Sequence, residues 1–416
     1  MEADFEAGGF PGLTRVHIDG YRSIRDGSFR PGRLSALVGE SSAGKSNVLE
    51  AIRALLDPTS PPLVPGDVAR DGDGTIRVSA EFADGSSSFT AGLPQRRGRS
   101  SDSISHTPLF LPADLRSSTL VARSANDSPP HHRAVDILQE ALVGRGIDGQ
   151  PDHLQQGATA AAHGLVDGLE ACQTANVTGM VLLIEEPELF LPPQTQRYLY
   201  RLLHQLSEAD NQIFYSTHSP SFLNVARLDE LVLIELRPGE GTRLFQPEAL
   251  PADQEFVAAS EFDASRGELF LARAAVLVEG LTEKLALPFV FRAMGYDADR
   301  ERISIVECGG KSNIVLAARI AKAVGVPFVA LHDRDAPAGK NPNDGERYLN
   351  RLIGEIAGEG GRVEMVPDFE GISGLRGHRH KPERAWQRFS TLTADEIPAP
   401  LARTVERAMK LAHRSS

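Results

Sequence analysis

The stretch Gly39-Glu40-Ser41-Ser42-Ala43-Gly44-Lys45-Ser46 decides the reading of this chain. It is a complete G-x-x-x-x-G-K-S loop. Before it, Leu34 to Val38 reads as a short buried strand; after it, Asn47 to Leu56 reads as a helix that stops near Pro58. Strand, glycine loop and helix in that order let backbone N–H groups cradle phosphates at a helix N-terminus. Gly39, Ser42 and Gly44 would shape the cradle and Asn47 would open the helix. Lys45 would reach the β- and γ-phosphates of ATP, and Ser46 would ligate Mg²⁺.

A second element stands where such a loop requires one. Val181-Leu182-Leu183-Ile184 is an apolar run delivering Glu185 and Glu186 at a strand end. Glu185 suits the water shell of the magnesium, and Glu186 suits orientation of an attacking water. A third element, Tyr215-Ser216-Thr217-His218-Ser219-Pro220, again follows a strand and places His218 to sense the γ-phosphate.

Working outward, Val16 to Ile24 alternates like an edge strand, and Thr75 to Phe82 is another strand candidate. Residues 58–76 and 83–107 are rich in Gly, Ser, Pro, Asp or Arg and read as loop. Residues 133–143, 158–172 and 194–207 read as helices. Ile213 to Ser216 and Glu230 to Glu235 read as strands. Alternating strand and helix predicts a largely parallel sheet with covered faces. The Pro- and Gly-rich stretch 236–266 is the expected boundary.

Beyond it a second α/β pattern begins: strand Ala274 to Val278, helix Leu281 to Ala293, strand Ile303 to Val306, helix Ser312 to Val324, strand Pro327 to Leu331. Pro288 is expected to bend its helix. Glu279 leaves the first of these strands, and Glu283 follows one helical turn on, on the same face. Asp333 and Asp335 leave the last. Strand ends of a parallel sheet gather on one edge, so the four acids are expected to converge. Hard oxygen ligands of this kind suit Mg²⁺ or Mn²⁺ and phosphodiester chemistry.

The bulk numbers bound the rest. A chain of 416 residues predicts two or three domains. Two cysteines, Cys172 and Cys308, fit a reducing cytoplasm and argue against a disulfide framework. No apolar run approaches a membrane span, and the acidic start, Met1-Glu2-Ala3-Asp4, does not read as a signal peptide. The net charge of −12 argues against a general nucleic-acid binder. Two basic stretches oppose it locally. Residues 372–416 hold nine Lys and Arg against four acids, with Trp386 among them, and Gln95-Arg96-Arg97-Gly98-Arg99 sits in the stretch read as loop. Both are candidate phosphate-tracking surfaces for DNA.

The glycine loop, acidic strand and His218 segment resemble the ABC-type ATPase head of chromosome-maintenance and recombination-repair ATPases. Leu154-Gln155-Gln156-Gly157-Ala158 resembles that group's signature segment, with Gln in place of Ser. The resemblance implies that Gln156 and Gly157 of one protomer cap ATP on the other, and hence a homodimer. Glu185 replaces the usual Asp, which predicts slow hydrolysis, and no sustained heptads predict coiled-coil arms.

The acids 279, 283, 333 and 335 resemble the Toprim fold. A head followed by Toprim in one chain resembles the OLD (overcoming lysogenization defect) family of ATP-dependent nucleases, over about residues 14–390. By that resemblance, Gly309-Gly310-Lys311-Ser312-Asn313 is the glycine-lysine turn, Glu370 or Asp368 ligates a second metal, and Lys381 of His380-Lys381-Pro382 neutralises charge on the phosphate. The implied layout is an ABC-type P-loop ATPase domain over 1–250, a linker over 251–270, a Rossmann-like Toprim α/β domain over 271–390 and a basic tail over 391–416. The implied activity is a divalent-metal-dependent DNA endonuclease in phage defence or DNA repair, working alone or with a helicase-like or other defence partner and without a membrane. The alternative is an ATP-switched DNA-binding or assembly protein with a non-catalytic Toprim part.

Overall fold

A computed structural model describes residues 12–57, 60–70, 74–92, 96–99, 108–113, 129–143, 154–223, 227–251, 267–337, 339–358, 360–376 and 380–414. Two compact units divide the chain near Ala249 and Leu250.

The first unit is built on a sheet of eleven strands among the described residues, in the order β6-β5-β4-β1-β2-β11-β10-β3-β9-β8-β7. Its parallel half holds β7 (Leu109–Leu111), β8 (Val181–Glu185), β9 (Gln212–Thr217), β3 (Leu34–Val38) and β10 (Leu231–Arg237). All five residues of β3 are buried. Apolar side chains go to both faces because both are covered, so the strand reads as a run rather than an alternation. The helix Lys45–Leu56 buries Val48, Leu49, Ile52 and Leu55 in the same core as Leu37, Leu183 and Phe214. Two polar side chains at the start of β9 hold strand ends together. Gln212 accepts from Leu13 N and donates to the carbonyls of Leu13 and Gly32, and Asn211 accepts from Met180 N and donates to Val177, Leu206 and Ala209.

The antiparallel half corrects three expectations. Val16 to Ile24 is not one edge strand. It is the end of β1 (Leu13–Tyr21), a turn at Arg22 and Ser23, and the start of β2 (Ile24–Phe29). β1 lies inside the sheet between β2 and β4 (Arg77–Phe82). The turn is forced by backbone: Arg22 has φ 51° and Gly20 φ 67°, and a Cβ at Gly20 would stand 1.9 Å from the Thr75 carbonyl oxygen. The stretch 83–107 is not all loop, since β5 (Ser87–Ala91) extends the sheet antiparallel to β4 and β6 (Arg96–Arg99) extends it further, antiparallel to β5. Their Ser, Gly and Arg composition hides strands whose pairing is carried by backbone. The basic residues 96, 97 and 99 therefore sit on a strand, not a loop. The boundary stretch likewise contains β11 (Gly241–Phe245), a hairpin partner of β10.

The second unit is an α/β layer structure with a wholly parallel sheet, β13-β12-β14-β15, made of β12 (Ala274–Val278), β13 (Ile303–Glu307), β14 (Phe328–Asp333) and β15 (Arg362–Met365). The helix Leu281–Ala293 continues through Pro288. Residues 391–416, read as a basic tail, contain the helix Ala399–Arg414. Its Leu401, Val405, Ala408, Met409 and Ala412 join the core of β12 and β14. An apolar stripe at helical spacing explains this: the basic residues occupy the other face. Cys172 and Cys308 are free and buried, and among the described residues no helix is long and apolar enough to cross a membrane.

Candidate nucleotide and carboxylate sites

In the first unit the glycine loop leaves the C-terminal end of β3. Gly44 takes φ 110° and Ser42 φ 65°, which turns the loop's N–H groups inward ahead of the helix. The loop is packed from behind. A Cβ at Gly39 would lie 2.2 Å from the Ile234 carbonyl oxygen, and one at Gly44 would lie 2.5 Å from the Thr242 hydroxyl. Thr242, on β11, donates to the Ala43 carbonyl at 2.8 Å and pairs with Ser23 at 2.7 Å. Asn47 donates to Ser23 at 2.7 Å. Ser46 is exposed at the first helical turn.

Lys45 is buried, and its Nζ donates to the carbonyls of Gly39 at 2.9 Å and Glu40 at 2.8 Å. Burial holds this ammonium below the usual lysine range, against the pull of Glu186 and Glu188. Phosphate oxygens would replace those carbonyls with a stronger charge-assisted contact, so the cradle fits a nucleoside triphosphate.

Glu185 ends β8 beside Ser216 of β9. Glu186 follows at φ 43°, its N–H bonded to Ser216. Its carboxylate stands 3.2 Å from His218 Nδ1 and 4.0 Å from Lys45 Nζ. The loop thus brings Lys45, Glu186 and His218 together, with Glu185 adjacent in sequence. Gln156 and Gly157 open the helix Leu154–Thr174, and their side chains lie outside the described residues.

One residue of this corner carries no sequence signal of its own role. Glu188 is 3% exposed. Its Oε1 accepts from the Thr217 hydroxyl and, at 3.2 Å, from His218 N, while its Oε2 has no partner among the described residues. Burial pushes this carboxyl up. It fastens the His218 segment to the turn that carries Glu186.

In the second unit the parallel sheet delivers its acids to one edge. Glu279 follows β12, and its Oε1 accepts from Asp333 N at 2.7 Å. Asp333 ends β14, and its Oδ1 accepts from Phe369 N at 2.7 Å. Glu283 is buried and closes back on Gly280 N at 3.2 Å. The segment after β15 is laced to the same place: Arg334 N and Asp335 N donate to the carbonyls of Met365 and Pro367, both at 2.9 Å.

The charges are crowded. Burial, then Glu279, pushes Asp333 up to about 8. Burial, with Glu279 and Glu370 adding repulsion, pushes Glu283 up to about 7. Burial also raises Glu279. A cluster that holds protons this tightly lacks positive charge, and its hard oxygen donors suit Mg²⁺ or Mn²⁺. Among the described residues, no three His, Cys, Asp or Glu side chains close into a ready-made cation cage.

The outer acids have cationic partners. Asp335, at φ 57°, accepts from Lys311 Nζ, which also donates to Glu346 at 2.6 Å. Glu370 accepts from the exposed Lys381, whose pKa that bond raises. Asp368 caps its own helix by accepting from Gly371 N at 2.6 Å, and it pairs with Arg376 at 2.9 Å. Trp386 lies edge-on to Phe289, with ring centres 4.9 Å apart, and is 53% exposed. Sequence reasoning finds Lys311 only as part of a turn and misses Glu346 and Thr242, because their roles come from partners brought together by the fold.

Comparison with known proteins agrees with these two units. Residues 270–335 match the family described as overcoming lysogenization defect protein-like, TOPRIM domain. Residues 169–224 match the AAA domain, putative AbiEii toxin, Type IV TA system family. The OLD nuclease of Thermus scotoductus is 33% identical over 247 residues, 54% of this chain and 46% of that relative. The chain is similar to an OLD nuclease over about half of its own length. It spans less than half the length of that OLD relative. Among solved structures, the C-terminal region of the Burkholderia pseudomallei OLD protein is 17% identical, with 34% of this chain and 98% of that one covered and a TM-score of 0.29. The SMC head domain from Thermotoga maritima is 11% identical, with 57% and 99% covered and a TM-score of 0.37. The chain thus carries a match to an ATPase-domain family in its first unit and a match to a Toprim family in its second.

Proposed function

We propose that this OLD-like chain is an ATP-hydrolysing, divalent-metal-dependent DNA endonuclease. The observation that carries the reading is the crowding of Glu279, Glu283 and Asp333 at one edge of a parallel sheet, where burial and mutual repulsion leave them short of positive charge. Glu279, Glu283, Asp333 and Asp335 would hold Mg²⁺ or Mn²⁺, with Glu370 or Asp368 available to a second ion. A metal bound there would supply an activated water and charge neutralisation for phosphodiester hydrolysis. Lys381 is exposed and adjoins Glu370, so its ammonium is available to a DNA phosphate.

In the ATPase unit, Lys45 and Ser46 would bind the triphosphate and its magnesium. Glu186 would orient water and His218 would hold Glu186 in place. Pairing of two heads would bring Gln156 and Gly157 against the partner's nucleotide and regulate cleavage. Defence against phage or foreign DNA, or DNA repair, is the role we assign, with a helicase-like or other defence partner as an added component.

A second reading has two observations in its favour. Asp335 is held by Lys311 and no three-ligand set is closed among the described residues, as suits an ATP-switched DNA-binding protein with an inactive Toprim unit. Supercoiled plasmid incubated with Mg²⁺ or Mn²⁺, with and without ATP, separates the two. Nicked or linear product from the wild type, absent with Asp333→Ala, supports the nuclease. A Lys45→Ala variant reads the ATP dependence. No cleavage under any condition, with ATP turnover intact, overturns the nuclease reading.

A further inference from the structure

Lys311 occupies an unusual place for a lysine. It is the first residue of the helix Lys311–Ala323, a position normally open to water, yet its side chain is 5% exposed. Gly309 at φ 78° and Gly310 at φ 139° turn the chain so that it enters the fold. Its ammonium meets carboxylates from two other elements: Asp335, just after β14, and Glu346, in the first turn of the helix Asp344–Ala357. Both carboxylates keep contact with solvent, at 41% and 30% exposure. Burial pulls Lys311 down, but its bonds to Asp335 and Glu346 outweigh that and leave it firmly charged. Burying an ammonium is costly unless it is paired. Here the cation is placed at the margin of the crowded carboxylates, through Asp335.

We propose that Lys311 is a built-in cation at the Asp335 side of the carboxylate site, and that Glu346 is the carboxylate that keeps Lys311 when a divalent metal takes Asp335. The proposal rests on the metal reading given above. Lys311 and Glu346 are positioning residues in this scheme. Without metal, Asp335 and Glu346 share one ammonium. With metal, Asp335 turns to the ion and Lys311 stays paired with Glu346, so no buried charge is stranded. Lysine competes with the metal for Asp335, and Glu346 weakens that competition.

The two residues then have opposite effects on metal affinity. Removing Lys311 frees Asp335, so Lys311→Met binds metal more tightly. Removing the charge of Glu346 leaves Lys311 with Asp335 alone, so Glu346→Gln binds metal more weakly. Shifts of about tenfold in each direction are expected for one unit charge this close in a partly solvated site. An ion pair that does not communicate with the metal site would move neither variant.

The test is Mn²⁺ binding to the full chain, by calorimetry and by the loss of the free-ion paramagnetic resonance signal, without nucleotide or DNA. Wild type, Lys311→Met, Lys311→Arg, Glu346→Gln and Asp333→Ala are compared. Tighter binding by Lys311→Met, weaker binding by Glu346→Gln and near wild-type binding by Lys311→Arg support the proposal. Wild-type binding that Asp333→Ala abolishes, with Lys311→Met and Glu346→Gln shifted in the same direction or unmoved, overturns it while the metal site stands. No Mn²⁺ binding by the wild type overturns the metal reading and this proposal together.

Discussion

Asp333→Asn is the perturbation that tests the carboxylate site most directly, because metal should cancel its stabilising effect at pH 9. Asparagine keeps the shape and the Oδ1 acceptor for Phe369 N, which lies at 2.7 Å. It removes only the charge. In the metal-free fold Asp333 holds its proton up to about pH 8, against an ordinary value of 3.8. The folded state therefore carries a proton that the unfolded chain lacks between those values, and stability falls as pH rises through that window. The gap is about four units, so at about 1.4 kcal/mol per unit the upper bound above pH 8 is about 6 kcal/mol. Asp333 titrates under the repulsion of Glu279 and Glu283, and the cluster relaxes when one charge is removed, which brings the expected gain at pH 9 to about 2–3 kcal/mol. At pH 4 the gain should vanish.

Urea unfolding in EDTA reads this, followed by the fluorescence of Trp386, the one tryptophan of the chain and a member of the second unit. With Mn²⁺ at about a hundred times its Kd, the wild type should gain about 2.7 kcal/mol and the variant nothing. An Asp333→Asn protein no more stable than wild type at pH 9, or one whose gain is the same at pH 4 and pH 9, would refute the crowded-charge argument.

Three further outcomes follow from the first unit. Glu186→Gln keeps the contact to His218 but loses the base, so ATP turnover should fall by about a hundredfold or more while ATP affinity stays within about threefold; equal losses in both would remove Glu186 from the chemistry. Gly39→Ala should abolish ATP binding measured with a fluorescent nucleotide, since its Cβ has no room beside the Ile234 carbonyl oxygen, and retained binding would show that the cradle can shift. Asn211→Ala strands the buried Met180 N–H and Val177 carbonyl and removes a donor from Leu206 and Ala209. It should destabilise the head by about 3 kcal/mol in thermal unfolding, and a loss below about 1 kcal/mol would mean water replaces the side chain.

What the sequence makes legible here is local. Buried parallel strands announce themselves as apolar runs, and a strand that ends in Gly39, in Glu185 and Glu186, or in Asp333 declares its carboxyl end within a few residues. Order along the chain then suffices to place both units. Long-range register is not legible in the same way. Thr242 supports Ala43 from almost two hundred residues away, and Lys311 meets Asp335 and Glu346 only because three separate elements end at one edge. Strands such as Ser87–Ala91 and Gly241–Phe245 escape because their pairing is a property of backbone, while their composition is that of turns. For the basic stretch 372–416 an amphipathic helix carrying Arg on its outer face is the alternative reading, and the helix Ala399–Arg414 takes that form, with its apolar stripe in the core.

The central position of β3 has a consequence for how the protein is made. This fully buried, mostly apolar strand pairs with β9 and β10, which leave the ribosome roughly 175–195 residues later, on the order of 10–40 s at typical elongation rates. Until then Leu34 to Val38 has neither of its neighbours in the finished sheet, and the phosphate loop has no frame to hold its shape. The nascent head is thus a sticky intermediate whose protection falls to chaperones, and slower synthesis lengthens that exposure. Overproduction in a host short of them should yield aggregates that begin in this strand.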